Sequence, residues 1–415
     1  MSRPMKKTCL ALALMALHAA TQAQAGSDKE TAAHARATAA LLPGNVYNHA
    51  LAGPISDPAT ETISLNVSAL LQEIAADPQA YGVTPVATGE EHHKLLAEYA
   101  QSVVSAPSQV AMLASSANTA GQMQMQHIDR RLQTLSASQD SELAVWFQGE
   151  AITGSRNSAN ARPEGIQTAW KLGVDQPLDA WTLGAYLSYE NLDGDTDEEG
   201  TYSQKRQSAG LYGRWQSEKF WVNAQLFYSD LDNKTRRHLY LGTAAREHQA
   251  KAGGEQYGGK ISTGYDWQTG SVTHGPLLSL SMQQSRIKPL SEDDPNLSTT
   301  MSFDAQSQRS VQSSVGYQIN VAISPQWSLY TSAEWLHEFR KPAELLGARL
   351  QDGPYSKRHL YLPTDQEEAR DAGLLEWGVT GQLSHHWTLG AGISVQLAPG
   401  TRPQTAMYLN TAYLF

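Results

Sequence analysis

Apolar and polar side chains alternate in about twelve segments between Leu143 and the C-terminus of the chain. Successive side chains of a β-strand point to opposite faces, so each segment predicts a strand with one apolar and one polar face. In the clearest segment, 387–397, one face carries Trp387, Leu389, Ala391, Ile393, Val395 and Leu397. We therefore expect an all-β fold, either a soluble sandwich or a barrel whose apolar face meets lipid.

The lengths of the connections separate these two folds. Short turns such as 216–218 and 385–386 alternate with longer polar loops at 154–162, 192–200, 233–251, 288–300 and 342–370. Short turns on one rim and long loops on the other are typical of outer-membrane barrels, whose strand number is usually even. The sequence thus predicts a 12-stranded antiparallel transmembrane β-barrel over residues 139–415, with its first and last strands meeting at the short-turn rim.

The last predicted strand, Met407–Phe415, places Leu409, Tyr413 and Phe415 on one face and ends on the bare aromatic ring. It resembles the C-terminal strand of bacterial outer-membrane barrels, which the barrel-assembly machinery reads. We therefore predict that Leu409, Tyr413 and Phe415 form the insertion signature.

The N-terminus has the three parts of a secretory signal peptide over residues 1–25. Three basic residues precede an apolar run at 10–19, and Ala23 and Ala25 form a small-x-small cleavage site. Export through the Sec translocon is expected from this pattern.

Composition limits the chemistry of the mature chain. Removing the signal peptide removes the only cysteine, Cys9, and takes the formal charge from −10 to −13. Disulfides and thiolate metal sites are thus excluded, and nucleic acid is an unexpected partner for so acidic a chain. No apolar run of ~20 residues follows the signal peptide, so no transmembrane helix is expected. We expect no cofactor and no metal site.

The segment before the barrel is predicted to be helical. An amphipathic helix over 94–104 should break at Pro107, because proline is tolerated only in the first turn of a following helix. Residues 107–138 form a weakly apolar linker of small and polar side chains, which fits a polar barrel lumen better than lipid. An exposed linker helix is the alternative. Gly121 within it costs roughly 1 kcal/mol relative to alanine, so this helix should depend on its surroundings.

Two surface features were assigned from their positions. Trp181, Trp221, Trp327 and Trp387 each follow a short turn, which predicts an interfacial aromatic girdle. A basic cluster at 234–238, with Lys234, Arg236, Arg237 and His238, falls in a predicted long loop. It is either a contact for lipopolysaccharide phosphates or a solubilising rim.

The order of signal peptide, N-terminal segment, helix and barrel resembles an autotransporter of the type V secretion class, specifically the GDSL-type esterase autotransporters of Gram-negative bacteria. In that family a lipase or esterase passenger stays joined, through a helix in the lumen, to its own translocator barrel. The passenger motifs that carry the resemblance are Ser64-Leu65-Asn66-Val67-Ser68-Ala69-Leu70-Leu71, Asp77-Pro78-Gln79-Ala80-Tyr81-Gly82-Val83-Thr84 and His93-Lys94-Leu95-Leu96-Ala97-Glu98-Tyr99-Ala100.

The departures from the family concern its catalytic residues. The Gly-Asp-Ser-Leu block that carries the nucleophile is not found, and neither are the oxyanion-hole glycine and asparagine blocks. Thr84 and Ala87 stand where the resemblance places the Asp and His of the Asp-x-x-His element. We therefore predict no catalytic residues and interpret residues 26–106 as a truncated passenger remnant.

The function expected from sequence is an outer-membrane translocator barrel that presents this short, inactive esterase-like segment at the cell surface. A surface esterase that hydrolyses carboxylic esters is one alternative, and a channel or adhesin acting through outer loops is another. The expected partners are outer-membrane lipid, lipopolysaccharide, the Sec translocon and the barrel-assembly machinery, and the chain is expected to be a monomer.

Overall fold

The computed structural model describes residues 89–135, 143–153, 167–195, 200–241, 243–294, 299–340, 345–351, 360–363, 369–399 and 403–415. The expected signal peptide with Ala23 and Ala25, and the passenger motifs before residue 89, lie outside these residues. The described part contains one helix, α1 (Gly89–Leu135), followed by β-strands.

Twelve long strands build the main sheet. They are β1 (Ala144–Thr153), β2 (Gln167–Leu178), β3 (Trp181–Asp195), β4 (Thr201–Ser217), β5 (Phe220–Leu241), β6 (Ala244–Tyr265), β8 (Val272–Ile287), β11 (Gln306–Ala322), β12 (Trp327–Glu338), β15 (Asp371–Gln382), β16 (Trp387–Leu397) and β17 (Gln404–Leu414). A short strand, β7 (Trp267–Thr269), pairs with the beginning of β8.

The sheet closes on itself. Each long strand pairs antiparallel with its neighbours in chain order, and β17 returns to pair with β1 from Ala144↔Leu414 to Thr153↔Thr405. Closure satisfies every strand edge, which an open sheet in lipid does not. The short turns lie at the same rim as Ala144 and Leu414, and the longer connections lie at the opposite rim. The predicted 12-stranded antiparallel barrel is confirmed.

The outer surface carries an apolar belt. Leu187, Leu211, Leu226, Ile261 and Leu409 are among its members, each 59–68% exposed. On β5 the belt runs from Phe220 to Tyr228. At ~3.3 Å per residue and a tilt of about 40°, this stretch is roughly 20 Å tall, close to the apolar band of outer-membrane barrels.

Inside the barrel, aromatic rings lie over glycines of neighbouring strands. Tyr186 covers Gly210, and Tyr212 covers Gly184, at positions where a Cβ would overlap the ring. Trp146 covers Gly173 in the same way. A large ring thus fills the space above each missing side chain, which compensates for the weak strand propensity of glycine.

Beyond the belt, two strands project much further than expected. The predicted long loop 233–251 is wrong, because β5 and β6 continue as a paired hairpin to Leu241 and Ala244. From the end of the belt at Tyr228, β5 extends about 40 Å further along its length. The backbone ladder between β5 and β6 is unbroken to Leu241↔Ala244, and the alternation of inward and outward side chains persists along it.

A second sheet covers the mouth of the barrel at this rim. It consists of β9 (Leu290–Ser291), β10 (Met301–Phe303), β13 (Leu345–Leu350) and β14 (Leu360–Pro363), in the order β14-β13-β10-β9. We call this sheet and the β5–β6 hairpin the outer cap. Its core includes Leu290, Met301, Phe303 and Leu350, none more than 2% exposed. The prediction that β9, β13 and β14 belong to polar loops is therefore wrong.

Helix α1 is continuous from Gly89 to Leu135. The expected break at Pro107 is wrong. Proline removes one backbone hydrogen bond, but Ala106 and Val110 on either side are buried, and α1 contacts β13 and β14 of the outer cap. This packing holds the two halves in one helix. Among the described residues, no helix combines the length and apolarity needed to cross a lipid bilayer.

Candidate functional site: the helix-filled lumen

Helix α1 occupies the barrel lumen and is the centre of the candidate site. Its residues 106–113 lie at the long-loop rim beneath the outer cap, and its C-terminal turns lie towards the short-turn rim, where β1 begins. The helix packs closest to β4, β5, β6, β8 and β11. The predicted lumenal helix is therefore confirmed, and its polar residues face polar wall residues.

Near its C-terminal end, α1 is held by three ion pairs and one histidine–carboxylate contact, which reach four different strands. We call these four contacts the ionic collar. Arg130 donates to Glu376 of β15, and Arg131 donates to Asp175 of β2. All four side chains are at most 9% exposed.

The other two collar pairs involve an acid on the helix and a histidine. Asp129 lies 3.0 Å from the ammonium of Lys260 on β6 and accepts hydrogen bonds from Ser262 at 2.5 Å and Asn223 at 2.7 Å. His127 Nδ1 lies 2.8 Å from Glu150 on β1. Every collar residue of the helix thus has an opposite or complementary partner on the wall.

Apolar contacts between α1 and the barrel wall surround the collar residues. Met125, Ile128 and Leu132 pack with Trp146 and Tyr186 in one buried cluster. Arg131 also lies 4.5 Å above the ring of Trp146. These contacts seat the helix in one rotation, so that each charged side chain meets its own partner.

Above the collar, the wall reaches the helix through hydrogen bonds to side chains, such as Arg206 to Gln124, and through a second set that ends on backbone carbonyls. Gln204 donates to Leu113 O at 2.9 Å, and Gln256 donates to Ala117 O at 2.8 Å. The remaining bonds of this kind are Gln283 to Asn118 O at 2.7 Å, Arg206 to Ala120 O at 3.3 Å, Gln225 to Met125 O at 2.7 Å and Gln306 to Val110 O at 3.2 Å. We call these six wall residues the amide rail.

Small helix residues make this close approach possible. A Cβ at Gly121 would overlap the side-chain amides of Gln283 and Gln256. The propensity penalty of a glycine within a helix is therefore offset here by contact with the wall. This explains why the helix carries glycine at a position that would otherwise favour alanine.

The predicted aromatic girdle is only partly placed as expected. Trp181, Trp327 and Trp387 are 53%, 37% and 46% exposed on the outer surface near the short-turn rim. Trp221 is fully buried, so its assignment to the girdle is wrong. Because Phe220 takes the outward position on β5, the next side chain points into the lumen, where the Trp221 indole N–H donates to Asp266 at 3.2 Å.

The basic cluster at 234–238 is divided between two faces of β5. Lys234 and Arg236 are exposed, whereas Arg237 is buried in the outer cap. Arg237 makes two hydrogen bonds to Glu292, of 2.8 and 2.7 Å, and a third to Thr299 O at 2.9 Å. The cluster therefore does not form one continuous basic surface, because alternate residues of a strand face opposite ways.

The C-terminal strand has the predicted faces. Leu409 and Phe415 are 66% and 64% exposed on the outer surface, and Leu414 is buried on the other face. The Phe415 N–H donates to Leu143 O at 3.0 Å, so the last residue is fixed beside the first strand. Reading of this strand by the assembly machinery stays a prediction.

The collar and the rail were not predicted from the sequence. The rail residue Gln225, for example, is recognisable there only as a polar position of a strand. One available signal was the run Asp129-Arg130-Arg131, since three adjacent charges on a helix predicted for a lumen require counter-charges on the surrounding wall.

Known proteins agree with this architecture. The family model described as the autotransporter beta-domain matches residues 145–394. The translocator domain of the autotransporter NalP from Neisseria meningitidis has the same fold, with a TM-score of 0.58 at 13% identity over 73% of this chain and 99% of that one.

Two curated relatives match at the sequence level. Lipase 1 of Photorhabdus luminescens is 27% identical over 256 residues, which are 61% of this chain and 38% of the lipase. An uncharacterized protein from the trpE-trpG intergenic region of Pseudomonas putida is 24% identical over 72% of this chain and 57% of its own length. The chain thus spans less than two thirds of either relative. Because the family model covers more than half of the sequence, the chain belongs to the autotransporter beta-domain family, and its barrel is an outer-membrane translocator of Gram-negative type.

Proposed function

We propose that this translocator places the segment preceding α1 at the cell surface and then retains α1 in the lumen as a plug. The observation that supports the proposal is the direction of the helix. Its N-terminal part lies at the long-loop rim and its C-terminal part is held by the ionic collar. A chain that continues from the N-terminal end of α1 leaves the barrel on the side of the outer cap.

The helix in the lumen also counts against the alternative that the barrel is an open channel. Helix α1 occupies the described lumen, and its charged side chains at 129–131 are paired with wall residues. Buried pairs of this kind are strongly destabilised when one partner is removed, so the helix resists withdrawal. A translocator that has finished export therefore fits these contacts better than an open pore.

The passenger remnant, residues 26–106 in the sequence-based division, is proposed to be a catalytically inactive esterase-like segment, and the part that precedes α1, residues 26–88, is the exported segment. The motifs of this remnant resemble the late part of the family's passenger, but the nucleophile block is not found in the sequence. The proposed partners are the Sec translocon, the barrel-assembly machinery acting on Leu409, Tyr413 and Phe415, and outer-membrane lipid with lipopolysaccharide. The proposed state is a monomer.

The test uses two epitope-tagged versions of the full chain in a Gram-negative host. One tag is inserted between residues 30 and 40, and the other in the short turn at Thr269-Gly270. In intact cells, antibody should label the first tag and reach the second only after the outer membrane is permeabilised. Labelling of the turn tag alone in intact cells would contradict the proposed orientation.

A surface esterase is the second candidate, because one relative carries the name Lipase 1. It would need a nucleophile other than the missing block, with His92 or His93 as base and Ser56 or Ser64 as the attacking hydroxyl. His92 and His93 fall in the first turn of α1, and the two serines lie outside the described residues. Hydrolysis of a short-chain nitrophenyl ester by the purified chain, abolished by a serine-directed phosphonate, would favour this candidate over an inactive remnant.

A further inference from the structure

The amide rail differs from the ionic collar in what it recognises. Collar contacts join side chain to side chain, so they depend on the identity of residues 127–131. Rail contacts end on backbone carbonyls at positions 110, 113, 117, 118, 120 and 125. These positions are one to five residues apart and extend along about 22 Å of helix. Every residue type offers the same backbone carbonyl, whatever its side chain.

The rail is oriented by its own hydrogen bonds so that donors point at the helix. Arg206 has only donors, and one of them goes to Gln256 Oε1 at 2.8 Å. Gln256 in turn presents its amide N–H groups to Ala117 O and to Gln283 Oε1. Gln283 then presents its own N–H groups to Asn118 O. The order Arg206, Gln256, Gln283 therefore fixes which end of each amide faces the lumen.

The groups of a polypeptide that wall donors can pair are its backbone carbonyl oxygens. A helical carbonyl keeps a second lone pair after its internal hydrogen bond, and an extended chain has carbonyls with no internal partner. A chain inside the barrel loses water from these acceptors, and an unpaired buried acceptor is unfavourable. A row of oriented donors replaces that water without reading the side chains.

We propose that the amide rail is a sequence-independent binding track for the backbone of the exported segment, residues 26–88 of this chain, during its passage through the lumen. This inference rests on the proposed function. In the finished protein α1 occupies the track, and during export the segment ahead of it uses the same donors. The ionic collar then stops the chain when residues 127–131 reach their partners.

The test measures how fast a tag between residues 30 and 40 reaches the surface in a pulse–chase experiment on the full chain. The rail variant combines Gln204→Met, Gln256→Met and Gln283→Met, which keep side-chain size and remove the donors. We expect surface arrival to slow by about fivefold or more, the factor that corresponds to one hydrogen bond of about 1 kcal/mol. Arrival should be slower because the passing chain is less stable in a lumen whose wall lacks these donors.

The matched control is Gln318→Met. Gln318 is also a buried wall glutamine, but its amide donates to Asp266 at 3.0 Å. It should leave the rate unchanged. A second comparison repeats the rail variant in a chain whose exported residues 41–88 are permuted. Backbone recognition predicts the same slowing in both chains.

Three results would overturn the inference: an unchanged rate in the rail variant, equal slowing by Gln318→Met, or slowing that disappears in the permuted chain. Heat-dependent gel mobility reports whether each barrel folds, and the single variant Gln256→Met gives a smaller expected slowing if the triple variant does not fold. A wild-type tag that never reaches the surface would instead refute the proposed function, and the track with it.

Discussion

Removing Arg130 from the ionic collar gives the sharpest test of how the helix is held. Arg130 donates to Glu376, to Ser332 at 2.7 Å and to Gln133 at 2.7 Å, and lies 4.2 Å above the ring of Tyr330. In Arg130→Met the stem is retained and the charge is lost. Glu376 then stays buried with the hydroxyl of Ser332 at 3.3 Å as its described hydrogen-bond donor.

Leaving one member of a buried ion pair without its partner costs about 3–5 kcal/mol. The helix should therefore undock more often, and hydrogen exchange of the amides of residues 120–131 should speed up by roughly two to four orders of magnitude. The double variant Arg130→Met with Glu376→Met should recover most of this loss, because neither charge then remains buried. Exchange is measured by mass spectrometry on the folded protein in detergent.

The matched control is Arg286→Met on the outer surface. Arg286 lies 3.1 Å from Glu255, but their side chains are 52% and 41% exposed. Exposed pairs contribute about 0–1 kcal/mol, so helix exchange should be unchanged. If the amides of residues 120–131 exchange as slowly in Arg130→Met as in this control, the Arg130–Glu376 pair does not hold the helix. If they exchange as fast in the double variant as in Arg130→Met, the unpaired Glu376 is not the cause of undocking.

Three other perturbations follow from the described contacts. Gly121→Leu should displace the two rail glutamines beside it and speed exchange in the middle of α1, whereas Gly121→Ala should have a smaller effect. Gly210→Val should overlap the ring of Tyr186 and destabilise the barrel by about 1–3 kcal/mol, seen as a lower temperature for the gel-mobility change. Burial and the nearby Arg237 lower the pKa of His248 in the outer cap from its ordinary 6.5. The neutral ring thus favours the folded cap, which should lose stability as the pH falls from 6.5 through the lowered folded-state pKa. Lower protection of the amides of residues 299–303 at about pH 5 than at about pH 7.5, with each exchange rate divided by the intrinsic rate at that pH, would show this if it is absent in His248→Gln.

The barrel could be predicted from sequence because its information is local. Period-two alternation identifies each strand, and the contrast between short and long connections gives the two rims. Pairing of β17 with β1 then follows from an even strand number. The same alternation also corrects two assignments, since Trp221 follows the outward Phe220, and Arg237 follows the outward Arg236.

The outer cap and the wall contacts depend on information that is not local. The strands β9, β10, β13 and β14 have two to six residues each, too short for alternation to be recognised. The collar partners depend on the rotation of α1 and on the stagger of the strands, which set the height of each wall residue. Neither quantity is readable from spacing along the chain. The continuity of the helix through Pro107 likewise depends on burial of its neighbours.

The collar partners have a consequence for the timing of assembly. Glu150 lies on β1, Asp175 on β2, Lys260 on β6 and Glu376 on β15. These groups surround one axis only after the last strand has joined the first. A partly assembled, open sheet therefore presents an incomplete set of counter-charges and grips the linker weakly. The complete set of collar contacts forms only when β17 has paired with β1, and we expect the linker to become fixed at that step.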